Sequence, residues 1–152
     1  MTAPGLQRLE DELRLLKSTE RPAVIRAIAE ARTHGDLSEN AEYHAARERQ
    51  SFIEGRIAEL EEIISSAEVI DPSSLSGEHV KFGAHVRLVD EETDKESAYQ
   101  IVGVHEADIK SGKLSISSPL AKALIGKKPG DSIAVPAPGG DRTYEILGVK
   151  FI

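Results

Sequence analysis

The stretch Gly35-Asp36-Leu37-Ser38-Glu39-Asn40-Ala41-Glu42-Tyr43 separates two long helical patterns and carries carboxylates at positions 36, 39 and 42. A short segment between two helices is the turn that joins them, and a short connection makes consecutive helices antiparallel neighbours. The stretch therefore reads as the acidic tip of a helical hairpin. On the outgoing side Leu6, Leu9, Leu13 and Leu16 recur with gaps of three, four and three, which lines one stripe of a supercoiled helix. The stripe loses phase at Ser18-Thr19-Glu20-Arg21-Pro22, where proline removes an amide donor and disfavours helix at the residue before it. That predicts a break or kink, then a second helix capped by Ser18 or Thr19, with Pro22 in its first turn and Val24, Ile25, Ile28 and Ala31 on its apolar face. Gly35 stands where a glycine ends a helix.

On the return side Tyr43, Ala46, Gln50, Ile53, Ile57, Leu60, Ile64 and Ala67 keep the alternating three-four spacing for more than three heptads. Such a run predicts a helix packed along its length against the pair before it. Thirty residues of helix span about 45 Å, so the hairpin is a long stalk. The run Val69-Ile70-Asp71-Pro72-Ser73-Ser74-Leu75-Ser76-Gly77 is dense in turn formers and ends the helical period. Beyond it the period changes to two. Val86 and Leu88, Tyr99 and Ile101, Leu114 and Ile116, Ile133 and Val135, and Tyr144, Ile146 and Val149 read as five short strands. Ser118-Pro119 caps a short helix from Leu120 to Ile125 closed by Gly126, and Pro138-Gly139-Gly140-Asp141 is a hairpin turn. The fold class is α+β: residues 1–71 form an antiparallel coiled coil with its tip near 35–43, 72–77 a linker, and 78–152 a small α+β domain.

At 152 residues the chain has room for one ordinary domain or two small ones, and 39% hydrophobic residues with 4% aromatics and no Trp favour small cores plus an elongated helical element. The absence of Cys removes disulfides and thiolate metal sites. No apolar run is long enough for a membrane span and no signal peptide is evident, so a cytoplasmic protein without membrane contact is expected. A net charge of -7 argues against holding free DNA or RNA by phosphate neutralisation. Any nucleic acid it meets is presented by a partner.

Ala29-Glu30-Ala31-Arg32 and the run from Gly35 through Tyr43 to His44-Ala45-Ala46-Arg47-Glu48 closely resemble the central signature of the Gre transcript cleavage factors. Ser118-Pro119-Leu120-Ala121, Leu124-Ile125-Gly126-Lys127 and Pro138-Gly139-Gly140 follow in that family's order, and the resemblance runs from Leu9 to Phe151. It implies an N-terminal coiled coil and a C-terminal domain similar to the FKBP fold. It further implies that the second domain docks at the rim of the bacterial RNA polymerase secondary channel while the coiled coil threads down it. There the tip carboxylates assist the polymerase's own active site in cutting backtracked nascent RNA, and a basic patch beside the tip contacts the RNA 3′ end. The chain would then be a cofactor protein and not itself an enzyme, a monomer when free.

Cleavage of a phosphodiester by two metal ions needs oxygen ligands and an activated water, and Mg²⁺ is commonly held by one or two carboxylates plus phosphate oxygens. Asp36 and Glu39 are assigned to position the second Mg²⁺ in the polymerase active site, acting in trans, with no Mg²⁺ bound tightly to the free protein. The same spacing is also that of a capping-box variant, with acids complementing the helix dipole, and both roles are compatible. Ser38 caps the helix or holds a tip water. Glu30 and Glu42 read as solvated, and Tyr43 as packing. Arg47 and Arg32 are the candidate RNA contacts, against ordinary pairing with Glu48, Glu42 or Glu30. His34 and His44 flank the tip but lack the ordered third ligand a zinc site needs.

Ser117, Ser118, Pro119 and Leu120 are the candidate polymerase-docking surface, with helix capping as the alternative role. With three Phe and three Tyr in the whole chain, an aromatic-lined prolyl isomerase pocket is not expected. Two other readings stay open: a channel-binding inhibitor of transcription with the same shape, and a coiled-coil dimer, the latter opposed by the short loop after Gly35. The charged run from Asp90 to Glu96 carries no readable role.

Overall fold

A computed structural model of the chain describes residues 1–36 and 40–152. The chain divides into two compact units: Leu6–Ala67, and Met1–Gly5 together with Glu68–Ile152.

The first unit is a helical hairpin built from α1 (Ala3–Leu15, which enters it at Leu6), α2 (Arg21–Ala31) and α3 (Ala41–Ser65). Among the described residues, those buried in it are Leu9, Val24, Ile28 and Ala31 on the outgoing arm and Ala46, Ile53, Ile57 and Leu60 on the return. All eight belong to the stripes predicted from spacing. Ile25 does not join them: it is 51% exposed, because Val24, Ile28 and Ala31 already fill the inward positions of that turn. Of the break or kink expected before Pro22, a break does not form. Leu16–Glu20 form a π-helical turn that runs straight into α2, and Glu20 keeps helical angles without any side-chain cap. A π turn adds a residue to the helix, which absorbs the lost phase and returns Val24 to the face of Leu13 and Leu16. Pro22 sits at the start of α2, and the Ser18 hydroxyl, instead of capping, donates back to the Arg14 carbonyl at 2.7 Å.

Ion pairs cross between the arms. Arg21 grips Glu54 through two bonds of 2.7 Å, and Arg56 grips Glu12 through two of 2.9 Å. Arg49 reaches Glu20 at 2.6 Å and Lys17 reaches Glu61 at 2.7 Å. Exposed pairs contribute little each, but two bidentate forks at separate levels tolerate only one register of the antiparallel arms.

The second unit holds a five-stranded sheet in the order β3-β2-β1-β5-β4, from β1 (His85–Asp90), β2 (Glu96–Val102), β3 (Lys113–Ser115), β4 (Ser132–Val135) and β5 (Arg142–Lys150). Only the β2–β3 pair is parallel. One face packs Val86, Leu88, Ile101, Leu114 and Ile146 against Ala121 and Leu124 of α4 (Pro119–Leu124). A bulge between the pairs Arg87–Gly148 and Leu88–Ile146 skips Leu147. It reverses the phase of β5, which is why the core residues Ile146 and Val149 are three apart rather than two.

The charged run after β1 is a tight turn: Asp90 is buried, and its Oδ1 accepts from the Glu92 and Thr93 amides at 2.9 and 3.3 Å. The run around Pro72 is ordered as well. Pro72–Ser74 make a 3₁₀ turn capped by Asp71, and the buried Pro72 ring lies where a side chain on Gly83 would sit, 2.9 Å from an added Cβ. Glu106 is 1% exposed and accepts from the Thr2 and Gly103 amides at 2.9 and 2.8 Å and from the Thr2 hydroxyl.

Candidate functional site

The outgoing arm tightens before it ends. After α2 the chain makes a 3₁₀ turn, Arg32–His34, and Gly35 closes it with φ of 108°, a conformation open to glycine and strained for other residues. Asp36 follows as an exposed residue in irregular chain. Leu37, Ser38 and Glu39 lie outside the described residues, so the structure gives no account of the Glu39 and Ser38 assignments. The next described residue is Asn40.

Asn40 was not singled out by sequence reasoning, yet it organises the tip. It is the N-cap of α3, with extended backbone angles, and its Oδ1 accepts the Tyr43 amide at 3.1 Å. Its Nδ2 donates to the Ala31 carbonyl at 2.7 Å, so one side chain joins the last turn of one arm to the first turn of the other. Asn40, and not Asp36, is therefore the N-cap of α3; the capping-box pairing of Asp36 with Glu39 involves a residue outside the described ones. The signal was present, since asparagine directly before a helical run is a preferred cap, but the carboxylate pair drew the assignment away from it.

Arg32 stands over the Tyr43 ring at 5.9 Å, and Tyr43 meets His44 edge-on at 5.6 Å. A cation over an aromatic face in this range is attracted by the ring's quadrupole, which holds Arg32 close to the cap. Arg47 is placed differently. It is exposed beside His44, Glu48 and Ser51 along an open hollow of about 630 Å³ on α3. Among the described residues it has no ion pair, so the pairing considered with Glu48, Glu42 or Glu30 does not form.

Asp36 lines a second open hollow, of about 460 Å³, with His34, Asn40, Ala41 and Glu42. The arrangement is an acidic concavity at the N-terminal end of α3, rimmed by imidazole and amide groups. Among the described residues no three His, Asp or Glu side chains converge as a closed metal site would require.

In the sheet unit, Ser118 caps α4, its hydroxyl accepting from the Ala121 amide at 3.2 Å while donating to the Ser115 carbonyl at 2.7 Å. The structural role considered for Ser118 is therefore filled. Ser117 and Pro119 are exposed, while Leu120 is half-buried and packs against the sheet core. Among the described residues no helix is long and apolar enough to cross a membrane.

The profile described as "Transcription elongation factor, N-terminal" matches residues 1–69, and that described as "Transcription elongation factor, GreA/GreB, C-term" matches residues 75–151. The chain is 81% identical to transcription elongation factor GreA of Acidiphilium cryptum over 99% of this chain and 96% of that protein. It is 67% identical to GreA of Rhodospirillum rubrum over the same shares. Among solved structures, the GreA/GreB elongation factor of Nitrosomonas europaea is similar at 25% identity and a TM-score of 0.45, covering 99% of this chain and 98% of that one.

Proposed function

The chain belongs to the GreA/GreB family of transcription elongation factors, which act with RNA polymerase, and on that premise we propose that it stimulates the polymerase's own cleavage of backtracked nascent RNA. In this reading the hairpin enters the secondary channel of the polymerase. The observation that carries it is the exposed Asp36 set immediately beyond the Gly35 turn, at the joined ends of the two arms. A helix of 25 residues such as α3 is about 37 Å long, enough to carry that carboxylate into a deep narrow pore.

Mg²⁺ in the polymerase active site supplies charge neutralisation and an activated water. The chain's own part is to deliver oxygen ligands and hold them still. Asp36, with Glu39 three residues further on, extends the acceptor set available to the second ion. Asn40 fixes the start of α3, so the carboxylates arrive on a capped, joined end rather than on two fraying ones. Arg47 and Arg32 lie on the same end of the hairpin and meet the phosphates of the extruded RNA 3′ segment, where a guanidinium makes charge-assisted bonds. Ser117 and Pro119, exposed at the start of α4, and the half-buried Leu120 contribute to docking on the polymerase. No reaction is assigned to the free protein.

The test is cleavage by a stalled, backtracked bacterial elongation complex with Mg²⁺, with and without the protein. Faster release of the 3′ RNA fragment supports the proposal. Binding that slows elongation without accelerating cleavage would instead assign the chain to channel-occupying inhibition.

A further inference from the structure

The sheet face turned away from α4 carries a charge cluster that the tip chemistry does not use. Strand register sets Lys150, His85, Gln100 and Lys113 side by side across β5, β1, β2 and β3. The next row is Gly148, Arg87 and Ala98. Side chains alternate between faces along a strand, and the residues between these, Val86, Ile101, Leu114 and Val149, pack in or against the core. The bulge at Leu147 is what turns Gly148 and Lys150 to this side.

Because the neighbours of Arg87 across both strands are a glycine and an alanine, a hollow of about 190 Å³ remains there, bounded by His85, Arg87, Ala98, Gly148 and Lys150 with the edges of Val86 and Tyr99. Three permanent cations and an imidazole thus share two adjacent rows of a chain whose net charge is -7. Among the described residues none of the three cations has a carboxylate partner; Lys113 reaches only the Gln100 side-chain oxygen, at 3.4 Å. Burial and the charge of Lys113 hold the His85 imidazole below its ordinary range, as a cationic surrounding without an anion should.

We propose that this face binds an acidic peptide segment of a protein partner, with one glutamate or aspartate side chain seated in the hollow between Arg87, His85 and Lys150. The apolar floor given by Ala98 and Gly148 takes the side chain's stem, and the cations take its carboxylate. A nucleic-acid strand fits less well. Glu96 and Glu145 flank Val89 in the row after Arg87, about 7 Å further along the strands, and would repel a backbone of phosphates crossing the face. Tyr99 and Tyr144 pack against the core, so the bases would find no stacking platform here. A second copy brings the same net charge of -7 and so opposes its own approach. The inference does not depend on the tip and stands apart from the cleavage reading.

The test is a titration of the ¹⁵N-labelled full chain with a capped octapeptide of glutamate and alanine, compared with octathymidylate and with inorganic phosphate at equal charge. The expected result is amide shifts at 85–87, 98–100 and 148–150, a rise in the His85 imidazole pKa on binding, and affinity at least tenfold weaker in the Arg87→Glu, Lys150→Glu double variant. The neutral Arg87→Gln, Lys150→Gln pair gives a smaller loss and serves if the reversed pair is poorly folded. No shift at these strands with millimolar peptide overturns the proposal, as does undiminished binding by both variant pairs. Octathymidylate or phosphate binding as tightly as the peptide overturns it in favour of a nucleic-acid or general anion site. Self-association that both variant pairs abolish in sedimentation overturns it in favour of a second copy.

Discussion

Replacing Asn40 by alanine removes two hydrogen bonds from the joined ends of the hairpin. The cap on the Tyr43 amide is worth about 1 kcal/mol, within the 0.5–2 kcal/mol seen for such caps. The bond from Nδ2 to the Ala31 carbonyl, 2.7 Å long and partly buried, is worth roughly another 1 kcal/mol. Asn40→Ala should therefore cost about 2 kcal/mol in the unfolding of the hairpin, read by urea denaturation followed by far-UV circular dichroism with an unchanged denaturant slope. Asn40→Asp separates the two bonds. It keeps the acceptor for Tyr43 and favours the helix dipole, but it loses the donor and sets a carboxylate against the Ala31 carbonyl. Its cost should fall between the parent and the alanine variant. An alanine variant within about 0.5 kcal/mol of the parent, the range of ordinary surface changes, would refute the claim that this residue joins the arms.

Packing and charge give further expected outcomes. Leu60→Ala, at a fully buried position, should cost about 2–5 kcal/mol, while Ile25→Ala on the exposed side of α2 should stay within about 0.5 kcal/mol, both by the same denaturation. Two helical glycines should respond in opposite directions. Gly5→Ala would bring a Cβ to 1.9 Å from Glu106 Oε1 and should destabilise by about 1–3 kcal/mol, whereas Gly55, with open space around it, should stabilise α3 by up to about 1 kcal/mol on replacement by alanine. On the acid side, His85 has a lowered pKa in the folded chain, so the unfolded chain binds more protons, and its contribution is complete above the ordinary 6.5 and declines as pH falls below it. Glu54, lowered by its bond to Arg21, contributes above its ordinary 4.5 and loses that contribution as pH falls through the lower, folded value. His85→Gln should flatten the upper of these two acid-side slopes in thermal melts taken from pH 7 to pH 5.

The hairpin was legible in sequence because its stripes repeat over many turns, so eight buried residues stand at predicted positions. What happens at Pro22 was not. Phase loss announces that something intervenes, but a break and a π turn give the same interruption on paper, and packing of Val24 beside Leu13 and Leu16 decides between them. In the sheet, the gap of three between Ile146 and Val149 was the signature of the bulge, visible once a strand is known to run through both. Glu106 could not have been found. Its partner Thr2 is 104 residues away, and no local pattern marks a carboxylate that will be buried.

At the tip the order of difficulty reverses. The acids at 36 and 39 were conspicuous, while Asn40, which fixes the end of the hairpin, looked like one more turn residue. Several polar residues in a row can each cap a helix, and only the bond back to Ala31 selects one. The basic rows of the sheet were invisible for a related reason, since His85, Arg87, Lys113 and Lys150 meet only through strand register.

The measurement that bears most directly on the proposed function is transcript cleavage in backtracked elongation complexes by the parent protein and its Asp36→Ala and Glu39→Ala variants, with polymerase binding measured alongside. The account predicts that both variants bind like the parent and that each loses the parent's stimulation of cleavage. Variants that bind and still stimulate cleavage at the parent's rate would contradict it, and would return the two carboxylates to a role in the hairpin's own structure.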